Sequence, residues 1–98
     1  MKKFCIVTLL SIGAYAHTPI MSCIDEGDGT ITCEGGFSDG SSAGGVTFKV
    51  EQKGQIILKE RLNSQSEINF KKPNEPFIAI FDAGPQHEVY IKSQDIKE

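Results

Sequence analysis

The residue with the most chemistry in this sequence is a histidine standing where an exported chain would begin. His17 follows Ala14-Tyr15-Ala16, which sets small residues at the two positions a signal peptidase reads. Cut there, the chain starts with a residue that offers two nitrogens, its free α-amine and its imidazole. An α-amine titrates near about 8, so a metal ion displaces its proton at neutral pH. The pair forms a bidentate chelate suited to nitrogen-loving ions such as Cu(II) or Ni(II). Pro19 is third in the processed chain and has no amide proton, which blocks a chelate built from consecutive backbone nitrogens. Further ligands must then come from elsewhere in the fold. His87 is the one other histidine, Met21 is a soft thioether, and Asp25, Glu26, Asp28 and Asp39 are carboxylates close in sequence. His17 and His87 share one ion if the first strand passes the 82–87 turn. The plainer alternative is a histidine that happens to follow a cleavage site and another that caps a strand.

Residues 1–16 carry the other marks of an export signal. Met1, Lys2 and Lys3 give a positive start, and residues 4–13 (FCIVTLLSIG) form a short apolar stretch. Spanning a bilayer of roughly 30 Å takes about 20 apolar residues, so this stretch is too short for an anchor, and no later segment is apolar enough to span either. A lipidated Cys23 is disfavoured by the polar, proline-interrupted approach His17-Thr18-Pro19. The expectation is a periplasmic protein with one domain over residues 17–98. Removing Lys2 and Lys3 leaves eight Lys/Arg against thirteen Asp/Glu and takes the formal charge from −3 to −5. That balance speaks against nucleic acid and against an anionic membrane surface.

Processing also removes Cys5, leaving Cys23 and Cys33 as an even pair in an oxidising compartment. A disulfide is the expected fate, contributing roughly 2–3 kcal/mol for so short a loop. A thiolate metal site is the alternative.

The elements that must position these groups are strands. Runs rich in Val, Ile, Thr and Phe are separated by Gly, Pro, Asn, Asp and Ser, and no helical period appears. Residues 20–24 and 30–34 flank Asp25-Glu26-Gly27-Asp28-Gly29 and form a hairpin with the cysteines on opposing strands. Residues 35–45 (GGFSDGSSAGG) are expected to be a flexible connection. Further strands are predicted at 46–51, 55–60, 66–70, 76–82 and 86–92, with 76–82 central because both its faces are apolar. The polar tail, 93–98, is expected to fray. Seven short strands indicate an all-β fold, a small antiparallel β-sandwich with Greek-key-like connections; a β-barrel is the competitor.

Other motifs argue against catalysis. Residues 25–30 (DEGDGT) lack the twelve-residue alternation and terminal Glu of a calcium loop, and read as a turn. The glycines of 35–45 neither follow a phosphate-binding pattern nor precede a helix. Ser38, Ser41 and Ser42 have no Ser-His-Asp order around them. The expectation is that the protein is not an enzyme.

Three segments taken together carry a resemblance: His17-Thr18-Pro19, the run from Cys23 to Gly40 (CIDEGDGTITCEGGFSDG), and Phe81-Asp82-Ala83-Gly84-Pro85-Gln86-His87. The chain resembles the small periplasmic accessory (additional) components of nickel/cobalt uptake transporters of the energy-coupling-factor type. The resemblance covers nearly the whole processed chain. It implies a β-sandwich that captures or hands over Ni(II) or Co(II) and works with membrane-embedded metal transporter components. His17 and His87 are the ligands it implies. Relatives with a C-terminal membrane anchor depart from this chain, which favours a soluble carrier or docking subunit. An N-terminal histidine is also similar to CopC-type periplasmic copper carriers, and a metal-free interaction module is a third reading.

Overall fold

The computed structural model describes residues 18–98. The proposed signal segment, Cys5 and His17 itself lie outside the described residues.

Seven strands form in chain order: β1 (Pro19–Asp25), β2 (Thr30–Phe37), β3 (Thr47–Gln52), β4 (Gln55–Arg61), β5 (Glu67–Lys71), β6 (Ile78–Asp82) and β7 (Glu88–Lys92). A short 3-10 turn, Ser93–Asp95, follows. The strands make two antiparallel sheets, one ordered β1-β2-β5 and the other β4-β3-β6-β7. The chain crosses between sheets after β2, after β4 and after β5, which interlocks the pairs β2/β5 and β3/β6 in a Greek-key-like path. The expected small all-β fold is the observed one, as two sheets and not a closed barrel.

Alternation explains why these segments pair. On β3, Phe48 and Val50 are buried while Thr47, Lys49 and Glu51 are partly exposed on the other face. β6 lies between β3 and β7, as two apolar faces require. Ile31, Cys33 and Phe70 of one sheet meet Phe48, Val50, Ala79 and Phe81 of the other in a single core. Rings bridge the layers, with Phe48 and Phe70 centroids 5.4 Å apart and Phe37 and Phe81 5.8 Å apart. The β3–β4 hairpin turns on Lys53 (φ 53°) and Gly54 (φ 80°), two successive positive φ values that match the twist of the flanking strands.

The structure corrects two expectations. The connection after β2 is not loose from its first glycine: β2 continues through Gly35 and Gly36 to Phe37. Gly35 is there for closeness. A Cβ on it would stand 2.9 Å from both Leu62 Cδ1 and Phe81 Cε1, so the strand backbone lies directly on the core. Further along, Ala43 is fully buried and its N–H donates to Ser66 Oγ at 2.9 Å, which pins the connection to the β4–β5 loop. The C-terminal tail does not fray either. Ile96 is buried in the core, and Asp25 N–H donates to the Lys97 carbonyl at 2.9 Å. One apolar side chain and a few backbone bonds dock it.

Candidate functional site

Register places His87 and Asp39 at one end of the sandwich and Asp25, Glu26 and Asp28 at the other. Pro19 pairs with Phe37, Thr47 with both Arg61 and Asp82, and Asp82 with Glu88. The starts of β1, β3 and β7 therefore share an end with the 38–46, 62–66 and 83–87 connections. Asp25, Glu26 and Asp28 occupy the opposite end, with the tail and the segment after β5.

His87 stands in the turn just before β7. Gly84 (φ 117°) and Gln86 (φ 67°) reverse the chain there. Two backbone bonds close it, Ala83 N–H to the His87 carbonyl at 3.0 Å and His87 N–H to the Gly84 carbonyl at 2.9 Å. The His87 ring is exposed, and its Nδ1 lies 3.0 Å from the Pro85 carbonyl oxygen. A carbonyl only accepts, so Nδ1 is the protonated nitrogen in this bond. In the neutral ring Nε2 then carries the lone pair, the tautomer a metal-binding histidine adopts when its other nitrogen donates to a carbonyl.

The first described residue, Thr18, is tied to the 38–46 connection. Its N–H donates to Ser38 Oγ at 3.2 Å, and Ser38 N–H donates to the Thr18 carbonyl at 2.9 Å. Asp39 is the next residue, with Oδ1 accepting from Ser41 N–H at 2.9 Å and Ser41 Oγ at 2.6 Å. Asp82 is also at this end but is engaged. Its carboxylate meets Lys49 Nζ at 2.9 Å and accepts from Gly84 N–H at 3.0 Å. The bond from Lys49 is the main cause holding the Asp82 carboxyl below its ordinary range, and the same contact raises Lys49.

The structure separates Asp25, Glu26 and Asp28 from this end. Asp25 accepts from Gly27 N–H at 2.9 Å and from Lys72 Nζ at 2.7 Å. Asp28 accepts from Thr30 N–H at 3.0 Å and Thr30 Oγ1 at 2.7 Å. Both are held below their ordinary pKa, Asp25 chiefly by Lys72 and Asp28 chiefly by the Thr30 hydroxyl. These are the bonds of a turn, as the sequence reading of DEGDGT has it. Met21 points inward and packs on the core. Cys23 and Cys33 face each other across β1 and β2 at disulfide-bonding distance, Cα to Cα 4.0 Å, with Cys33 fully buried.

Among the described residues no group of three or more His, Cys, Asp or Glu side chains is placed to hold a metal ion. Nor is any helix among them long and apolar enough to cross a membrane. The plainer sequence reading, a strand-capping His87 with a satisfied hydrogen bond, fits the Nδ1 bond; its partner, the Pro85 carbonyl, depends on a turn conformation that no spacing rule encodes. What the chain defines by itself is a small two-sheet all-β domain stapled across its first hairpin. No family model, no curated protein and no solved structure matches it.

Proposed function

We propose that this chain is an exported carrier of a transition-metal ion, held by the amine and imidazole of His17 together with His87, and that it serves nickel or cobalt uptake as the accessory component of a membrane-embedded transporter. The observation that carries the reading is the bridge between the two strands that follow these histidines. Pro19, two residues after His17, pairs with Phe37, whose ring packs on Phe81 at 5.8 Å; Phe81 pairs with Val89, two residues after His87. β1 and β7 are neighbours across the sheets and start from the same end.

His17 supplies the chelate, His87 a third nitrogen through Nε2, and the disulfide keeps β1 in register. Nickel and cobalt are the cargo suggested by the resemblance; an N-rich site binds copper more tightly still, so affinity alone does not name the physiological ion.

The test is a titration of Ni(II), Co(II) and Cu(II) into the chain beginning at His17 and into the same chain with one alanine added before it. The extension moves the free amine off the histidine. The carrier reading expects affinity to drop by at least about tenfold, the loss even an outer-shell partner causes. Equal affinities in the two chains, or binding of none of the ions, overturns it.

A further inference from the structure

The two sheets finish their outer faces differently. On the four-stranded sheet Lys49 stands opposite Lys59 but is paired with Asp82 at 2.9 Å, Tyr90 O–H donates to Glu88 at 3.2 Å, and the exposed aliphatic groups, Ile56 and Ile57, lie on β4. Ile80, opposite both Lys49 and Tyr90, is only 4% exposed. The three-stranded sheet leaves its outer face open. Glu34 stands directly opposite Glu67, both exposed, and neither belongs to an ion pair among the described residues. Like charges so opposed repel each other. Beside them β1 presents Ile20 and Ile24, 53% and 47% exposed.

The surface between these groups is hollow. Gly36 faces Ile20 in the ladder and leaves room, since a Cβ there would meet nothing nearer than Ile20 Cγ1 at 3.9 Å. One depression of about 360 Å³ runs over Ile20, Ser22, Glu34 and Gly36. A second, of about 640 Å³, shares Ser22 and Glu34 with it and reaches the tail. Five carboxylates and one lysine line the second. The trough thus has an aliphatic bank on β1 and an acidic bank on β2 and β5.

We infer that this face docks a segment of a partner protein in which lysine or arginine alternates with aliphatic side chains. The cations would relieve the Glu34–Glu67 repulsion, and the aliphatic groups would cover Ile20 and Ile24. Charge complementarity selects this occupant: an anionic lipid surface or nucleic acid would be repelled by the same carboxylates. Nothing in the inference depends on the histidine end, so the two succeed or fail separately.

The experiment follows backbone amide shifts of the isotope-labelled exported chain during titration with a synthetic octapeptide alternating lysine with leucine. Octapeptides alternating glutamate with leucine, and lysine with glycine, are the comparisons. Shifts are expected to concentrate at Ser22, Ile24, Thr32, Glu34 and Glu67. Binding should weaken roughly tenfold in the double variant Glu34→Lys/Glu67→Lys and in Ile20→Ser/Ile24→Ser, with circular dichroism melts showing that both remain folded. Shifts spread over both sheets, a lysine–glycine peptide that binds as tightly, or concentration-dependent self-association moving the same amides would each overturn the assignment.

Discussion

Both ends of this sandwich tie up aspartates in local bonds, and among the described residues only one end adds an exposed imidazole to them. At the Asp25 end, two carboxylates that look available in the sequence, Asp25 and Asp28, are engaged by local geometry. Asp25 is shared between Gly27 N–H and Lys72 Nζ, and Asp28 between two groups of Thr30. At the His87 end Asp82, the last residue of β6, is committed to Lys49, while the imidazole is exposed with its Nδ1 engaged. Residue type proposes a ligand; hydrogen bonding decides whether its lone pair is free. The acidic end is a structural clamp. The histidine end keeps a donor atom in reserve.

Substitutions can break or sharpen that contrast. The largest effect is expected from Cys23→Ser/Cys33→Ser, because β1 runs from one end to the other and the disulfide holds it to β2. Urea unfolding should lose about 2–4 kcal/mol, with both ends loosened together. Gly35→Ala comes next. Its new methyl would press on Leu62 and Phe81 beneath the histidine end, for a loss of about 1–3 kcal/mol in the same assay.

A smaller effect is confined to acid pH. The folded-state pKa of Asp25 lies below the ordinary 3.8, mainly through Lys72. The stability this contributes is complete above the unfolded value and disappears as pH falls through the folded one, because the unfolded chain takes up the proton first. Lys72→Met should therefore flatten the acid limb of a stability profile measured from about pH 5 to about pH 2, and leave metal titrations at neutral pH untouched. A change in metal affinity would contradict the division between the ends. Smallest of all in stability is His87→Ala, expected within about 0.5 kcal/mol of the parent because the ring is exposed. Its metal affinity should nevertheless fall.

Much of the fold was legible because period-two alternation is written plainly in segments such as 46–51, and because Asp-Glu-Gly-Asp-Gly announces a hairpin. The cysteine partnership followed from counting. What stayed hidden depends on contacts between segments distant in sequence. Gly35 looks like a hinge until Leu62 and Phe81 are seen against it. Ala43 looks like linker until Ser66 bonds it, and Ile96 looks like a stray apolar residue until the core receives it. For the candidate site, sequence nominated four carboxylates without ranking them. Only register showed that Asp25, Glu26 and Asp28 sit at the far end and that Asp39 follows the residue bonded to Thr18. The neighbourhood of β1 and β7 is likewise a property of two sheets stacking, which alternation within one strand does not reveal.

The central claim, a metal ion held by a newly created N-terminal histidine, is tested most directly by native mass spectrometry of the protein as exported. The account predicts a chain whose first residue is His17, two hydrogens lighter than the reduced form, carrying one nickel, cobalt or copper ion that is held more weakly once a single residue is added at the N-terminus. A chain beginning at any other residue, or one that stays metal-free when supplied with all three ions, would contradict it.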